Sequence, residues 1–86
     1  MKPALRLSKE AESDLEFLHK ADRKLFTRVL TKIEVLSESP MEGKPLVGNH
    51  KGEYSLRIGA YRVVYQVDPA GKTIFILTVK HRKNVY

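Results

Sequence analysis

In residues 53–67, "EYSLRIGAYRVVYQV", two arginines flank a Gly-Ala pair. If Gly59-Ala60 is the turn of a tight hairpin, Ile58 pairs with Tyr61, Arg57 faces Arg62, and Leu56 faces Val63. Like charges placed directly across a strand pair are destabilising. At roughly 5 Å and an effective dielectric near 20 the repulsion is about 3 kcal/mol before solvent screens it. An anion held between the two guanidiniums removes that cost, and arginine forks match phosphate oxygens in bidentate fashion. A sequence that keeps such a pair is either indifferent to the repulsion or has an anion to hold there.

The rest of the chain limits what can be done to that phosphate. There is no cysteine, which excludes disulfides, Cys-based zinc and thiol catalysis. His19, His50 and His81 lie far apart with no carboxylates at ligand spacing, so no metal site is expected. No Gly-rich phosphate loop follows a strand, and no Ser-His-acid set is evident. Guanidinium, ammonium, imidazole and phenol remain. That inventory suits a metal-free cleavage of RNA, in which the 2′-hydroxyl attacks its own phosphorus. Such a site needs a group to take the hydroxyl proton, cations for the charge on the phosphoryl oxygens, and an acid for the leaving 5′-oxygen. Preorganised donors of this kind are each worth a few kcal/mol at the transition state.

These residues need elements to position them. "PALRL" alternates and reads as a short first strand. Ser8 then caps a helix with acids in its first turns and Ala11, Leu15 and Leu18 on one face. Asp22 is the next N-cap, before an apolar stripe of Leu25, Phe26, Val29, Leu30, Ile33 and Leu36 that ends ahead of Pro40. The two helices form an αα-hairpin. A long Gly/Pro-containing loop, "PMEGKPLVGNHKG", reads as a working loop, and a three-stranded meander follows it. Taking "DPAG" as a type I turn with Asp68 opposite Lys72, Tyr65 faces Phe75, Val63 faces Leu77 and Tyr61 faces Val79. With Tyr54, Leu56 and Ile58 these make a core face for the helices to cover. The opposite face then carries Ser55, Arg57, Arg62, Val64, Gln66, Ile74, Ile76 and Thr78, with Lys80 next on the same alternation. The expected fold is α+β: an N-terminal strand and αα-hairpin packed on one face of an antiparallel β-sheet, with residues 1–86 as a single domain.

The net charge of +6 is unevenly placed. Residues 1–43 carry eight basic and eight acidic side chains, whereas residues 44–86 carry eight basic against only Glu53 and Asp68. A cationic half of this kind favours a polyanionic partner, nucleic acid or an acidic protein. No run of apolar residues approaches transmembrane length, and the N-terminus lacks the apolar core of a signal peptide, so the expected location is the cytoplasm with no membrane partner.

The order strand, helix, helix, meander resembles the RelE/ParE toxin superfamily. The run "GEYSLRIGAYRVVYQVD", the preceding "GKPLVG" and the terminal "VKHRKNVY" are similar to its RelE branch, and the likeness covers nearly the whole chain. The resemblance implies the toxin of a type II toxin–antitoxin pair that cuts mRNA in the ribosomal A site without cofactor or metal. A cognate RelB-like antitoxin would silence it by wrapping around it, and operator DNA would be bound only by the toxin–antitoxin complex. Arg57 matches a basic position on the second strand, Arg62 the arginine that opens the third, and Arg82 the C-terminal basic position. Tyr86 matches a terminal tyrosine that stacks on or orients the substrate nucleotide, and His81 sits where relatives carry a histidine or base-like residue. The implied catalytic set is thus Arg57, Arg62, His81, Arg82 and Tyr86, with Lys44, Lys51, Ser55, Lys80 and Lys83 as RNA-binding positions. Ser55 stands where RelE members with a lysine pair have a lysine, which leaves Lys80, Lys51, His50 or His81 as general base.

Two other readings compete. A ParE-like toxin would inhibit DNA gyrase and keep the fold without the catalytic tail, against which "HRKNVY" argues. A non-catalytic module would bind its antitoxin and co-repress a promoter. An antitoxin partner should be acidic and amphipathic, facing the cationic site and apolar strips expected at Val64, Ile74 and Ile76.

Overall fold

Ser8 and Asp22 start the two helices. Ser8 Oγ accepts the amide of Ala11 at 2.9 Å and Asp22 Oδ1 that of Leu25 at 3.1 Å, so each satisfies a donor that the first helical turn leaves orphaned. Helix α1 spans Lys9–Ala21 and α2 spans Arg23–Leu36. Asp22 closes the first as well, donating its amide to Leu18 O at 2.8 Å. Each helix buries one stripe: Ala11, Leu15 and Leu18 from α1, and Val29, Ile33 and Leu36 from α2. This is the expected αα-hairpin. The structure, a computed structural model, describes residues 4–39, 43–45, 52–68, 70, 72–81 and 83.

The helices cover a five-stranded sheet of β1 (Ala4–Leu7), β2 (Lys44–Pro45), β3 (Glu53–Ile58), β4 (Tyr61–Val67) and β5 (Thr73–His81), in the order β1-β5-β4-β3-β2. The β3–β4–β5 meander is antiparallel as expected. Strand β1 lies parallel to β5, Ala4 opposite Thr73 through Leu7 opposite Ile76, so the whole sheet is mixed. At the far edge β2 pairs Lys44 with Ser55 and Pro45 with Tyr54. That two-residue strand falls within the stretch read as loop, and a proline is tolerated there because an edge strand has no use for its missing amide.

The register of β5 departs from the expected one. Asp68 donates its amide to Thr73 O at 2.9 Å, so the connection holds four residues rather than three, and Val67 faces Ile74 and Tyr65 faces Ile76. A bulge then follows. Tyr65 pairs with Ile76 but Val64 with Thr78, leaving Leu77 without a partner across the strand; Val63 faces Val79 and Tyr61 faces His81. The two shifts act oppositely on the faces. Below the bulge Ile74 and Ile76 turn into the core, each 0% exposed, while Phe75 points out at 38%. Above it Val79 is in the core and Thr78 and Lys80 alternate away from it, as the sequence suggested. Ile74 and Ile76 are therefore not surface strips, and Val64, 3% exposed, is buried on the face opposite the helices.

The bulge has a physical anchor. Ser8, besides capping α1, donates its hydroxyl to Leu77 O at 2.7 Å and its amide to Ile76 O at 2.9 Å. The extra residue's carbonyl is thus satisfied from the end of β1. The helix-side core gathers Ile58, Val63, Tyr65, Ile74, Ile76 and Val79 beneath the two helical stripes, with Tyr54, Leu56 and Tyr61 packed against it. These three tyrosines stay on the core face, where the alternation put them.

Candidate functional site

The hairpin is formed as the spacing predicts, with Ile58 opposite Tyr61, Arg57 opposite Arg62 and Leu56 opposite Val63. Gly59 takes φ +59°, a left-handed conformation that glycine adopts without a Cβ penalty. Directly opposed residues have Cβ atoms about 4.5–5.5 Å apart, so the two guanidiniums start from one spot on the sheet. Arg57 Nε makes a long hydrogen bond, 3.4 Å, to Gly59 O, which leans it toward the turn.

Cross-strand pairing builds two rows on the face away from the helices. The first runs Arg57, Arg62, Lys80 across β3, β4 and β5. The second runs Lys44, Ser55, Val64, Thr78 across β2 to β5. Where the rows meet the β2 edge, an open cleft of about 460 Å³ is lined by Lys44, Ser55, Arg57 and Arg62, with Gly43, Pro45 and Leu56. Four of the ten residues singled out from sequence share this cleft. Among the described residues that line it there is no carboxylate, and they present cations, a hydroxyl and backbone to whatever enters.

The edge of the cleft is set by one close approach. Gly43 donates its amide to the hydroxyl oxygen of Tyr65 at 2.8 Å, across the end of the core. A Cβ at position 43 would stand 2.7 Å from that oxygen and 2.9 Å from Ser55 O, so only glycine lets β2 lie this close to β3.

Lys80 behaves differently from the expected cluster member. It sits in register with Arg62, yet its ammonium is turned to α1, 2.9 Å from Asp14 Oδ1 and 3.1 Å from Glu10 Oε2. The hydrogen bond to Asp14, then that to Glu10, raises its pKa above the ordinary 10.5 despite partial desolvation. A lysine held protonated cannot take a proton at neutral pH, which removes Lys80 from the general-base candidates. His81 packs edge-on against Tyr61, ring centroids 5.5 Å apart, and its Nδ1 accepts the amide of Lys83 at 3.2 Å. In the neutral ring that arrangement places the proton on Nε2, and the ring lies with Asp14, Phe17, Tyr61 and Val79 on the helix side of the sheet, the face opposite the arginine pair. Lys83 is exposed just beyond. Lys51, Arg82, Tyr86 and the alternative base His50 lie outside the described residues.

Asp14 escaped the reading of the sequence. Its Oδ2 accepts the Val79 amide at 3.0 Å while Oδ1 holds Lys80. Read along the chain it is one more acid near a helix start, and the 65 residues to Val79 leave no spacing signal. Among the described residues no three His, Cys, Asp or Glu side chains gather where they could hold a metal ion, and no helix is long and apolar enough to cross a membrane.

Comparison with known proteins follows the same lines. The family described as "ParE toxin of type II toxin-antitoxin system, parDE" matches residues 5–86. Toxin RelG of Mycobacterium tuberculosis is 42% identical over 52 residues, a segment that covers 59% of this chain and 60% of that relative's length. In the toxin–antitoxin complex RelBE2, also from M. tuberculosis, a chain 33% identical superposes with a TM-score of 0.81, the match covering 95% of this chain and all of that one. The archaeal RelE–RelB complex of Pyrococcus horikoshii contains a chain 27% identical with a TM-score of 0.73, 99% of this chain being covered and 100% of that one. The chain belongs to the ParE toxin family of type II toxin–antitoxin systems, in the RelE branch of the RelE/ParE superfamily.

Proposed function

We propose that the protein is a metal-free, ribosome-dependent mRNA endoribonuclease that halts translation in the cytoplasm. The observation that carries this reading is the Arg57–Arg62 pair opening onto a cleft with Lys44 and Ser55, with no carboxylate among its described lining residues. The scissile phosphate lies between the two guanidiniums, which offset its charge and each other's repulsion. The 2′-hydroxyl attacks the phosphorus, its proton passing to a base, and the P–O5′ bond breaks as the 5′-oxygen gains a proton. A 2′,3′-cyclic phosphate and a free 5′-hydroxyl result. His81 lies on the other face of the sheet, beside Asp14 and Tyr61, so the acid for the leaving oxygen falls to Tyr86 of the C-terminal segment. The base is sought at His50 or Lys51, while Arg82 and Lys83 hold the flanking nucleotides. A RelB-like antitoxin of acidic character silences the toxin, and operator DNA is bound by their complex.

Inhibition of DNA gyrase is the second reading, favoured by the match to the ParE family. Induced expression of wild type and of Arg62→Ala, with 5′ ends mapped on a translated message, separates the two. New ends within codons, present only with wild type and only when the message is translated, support the nuclease. Growth arrest with broken DNA and an intact message overturns it in favour of gyrase.

A further inference from the structure

Strand β1 ends at Leu7, opposite Ile76, whereas β5 continues to His81. Its last turn therefore has an outer edge that β1 does not cover. An uncovered edge next to a bulge is the least constrained part of a sheet, yet this one carries the residues leading to the cationic tail. The structure closes it from α1. One carboxylate, that of Asp14, takes both the Val79 amide at 3.0 Å and the Lys80 ammonium at 2.9 Å. Its side chain is only 14% exposed, against 57% for Glu10, the other carboxylate on Lys80. Of the two neighbours Asp14 constrains, Lys80 faces Arg62 in the site row, and Val79 faces the core residue Val63 next to it.

We propose that Asp14 is the positioning residue of the site, a role resting on the nuclease reading above. By fixing the Val79 amide it holds the end of β5 against β4, the strand that presents Arg62. By drawing the Lys80 ammonium toward α1 it leaves the phosphate to Arg57 and Arg62 alone. Lys80 could otherwise compete for the phosphate from the same row and hold it off the arginine pair. Asp14 touches no substrate; it acts through β5.

That arrangement has a kinetic signature that loss of stability does not. In Asp14→Asn one of the two oxygens becomes an NH2, which cannot accept, so one of the two bonds is lost. Lys80 is left with Glu10 as its one carboxylate partner, and the lost negative charge makes the polyanion-binding face more cationic. Turnover falls while binding of the message is unchanged or tighter. A displacement near 1 Å of reacting groups costs about 100-fold, so a fall in kcat of about 10- to 100-fold is expected, with KM for message-programmed ribosomes at or below the wild-type value. Asp14→Glu retains the charge but moves the carboxylate by one methylene, and its kcat should fall as well.

The experiment measures kcat and KM for wild type, Asp14→Asn and Asp14→Glu on message-programmed ribosomes. Thermal unfolding and amide exchange at Val79 are followed in the same proteins. Faster exchange at the Val79 amide with reduced kcat and unraised KM supports the proposal. An unchanged kcat in both variants overturns it, as does a KM that rises with kcat preserved. If neither variant unfolds cooperatively, Asp14 is a stability element and the positioning role falls. A wild type that cuts no message defeats the nuclease reading itself, an outcome distinct from active wild type with equally active variants.

Discussion

Replacing Gly43 by alanine tests the close approach that shapes the cleft. The added Cβ would meet Tyr65 Oη at 2.7 Å, Ser55 O at 2.9 Å and Tyr65 Cε1 at 3.0 Å. None of these can step aside cheaply. Tyr65 is 0% exposed and stacked on Tyr54 with centroids 5.5 Å apart, and Ser55 O belongs to the backbone of β3. Strand β2 must therefore lift away by roughly 0.4–0.7 Å to reach ordinary contact, an overpacking strain of about 1–3 kcal/mol. For a domain of this size each kcal/mol lowers the unfolding midpoint by about 4–8 °C, so a central value of about 2 kcal/mol gives a drop of about 8–16 °C. The assay is thermal or urea unfolding of Gly43→Ala, Tyr65→Phe and the double variant. Tyr65→Phe alone costs about 1–3 kcal/mol because the buried Gly43 amide loses its acceptor. In the double variant the nearest clash is gone with that oxygen, so the combined loss should fall short of the sum by at least about 0.5 kcal/mol. A Gly43→Ala protein as stable as wild type, or strict additivity in the double variant, refutes the packing account. Where the cleft edge moves, message cleavage should weaken too, because Lys44 adjoins the strained residue.

The facing arginines should trade stability for activity: Arg57→Thr is expected to gain about 0.2–1 kcal/mol in urea unfolding by removing like-charge repulsion, with a larger gain at low salt. Its cleavage of a translated message should drop by about 100-fold with the loss of one preorganised donor, and a stable but fully active variant would refute the phosphate-clamp reading. The Lys80 ion pairs give a pH test with a definite sign. Because the folded pKa is raised, by the Asp14 hydrogen bond first, the stabilisation is complete below the unfolded value of 10.5 and is lost as pH climbs through the higher folded value. The advantage of wild type over Lys80→Met in urea unfolding should accordingly be level from about pH 7 to about pH 10 and shrink above that; a loss beginning near neutrality would contradict the assignment.

Lys80 and the β5 register show why some of the site could not be read in advance. Alternation along the last strand puts Lys80 on the face that carries Arg62, and the structure agrees, but the shifted register makes Lys80 rather than Thr78 the cross-strand partner of Arg62. Where its ammonium goes depends on Asp14 and Glu10, which approach from α1. A residue's place in a strand is a local property, whereas the partner of a long flexible side chain is decided by what the fold brings near.

Local chemistry was sufficient for most of the architecture. Ser8 and Asp22 announce helices because their side chains can satisfy orphaned amides, and the helical stripes follow from a period of 3.6. Gly59-Ala60 dictates the hairpin and with it the opposition of Arg57 and Arg62. The family resemblance rests on those same residues. Only the tertiary structure decided that Leu77 is a bulge, that Ile74 and Ile76 rather than Phe75 are core, and that Asp14 closes the edge of β5. Alternation has a period of two and keeps no record of an inserted residue, so one extra carbonyl moves every later side chain to the other face. That carbonyl is held by a serine 69 residues away, through a bond that no spacing in the chain encodes.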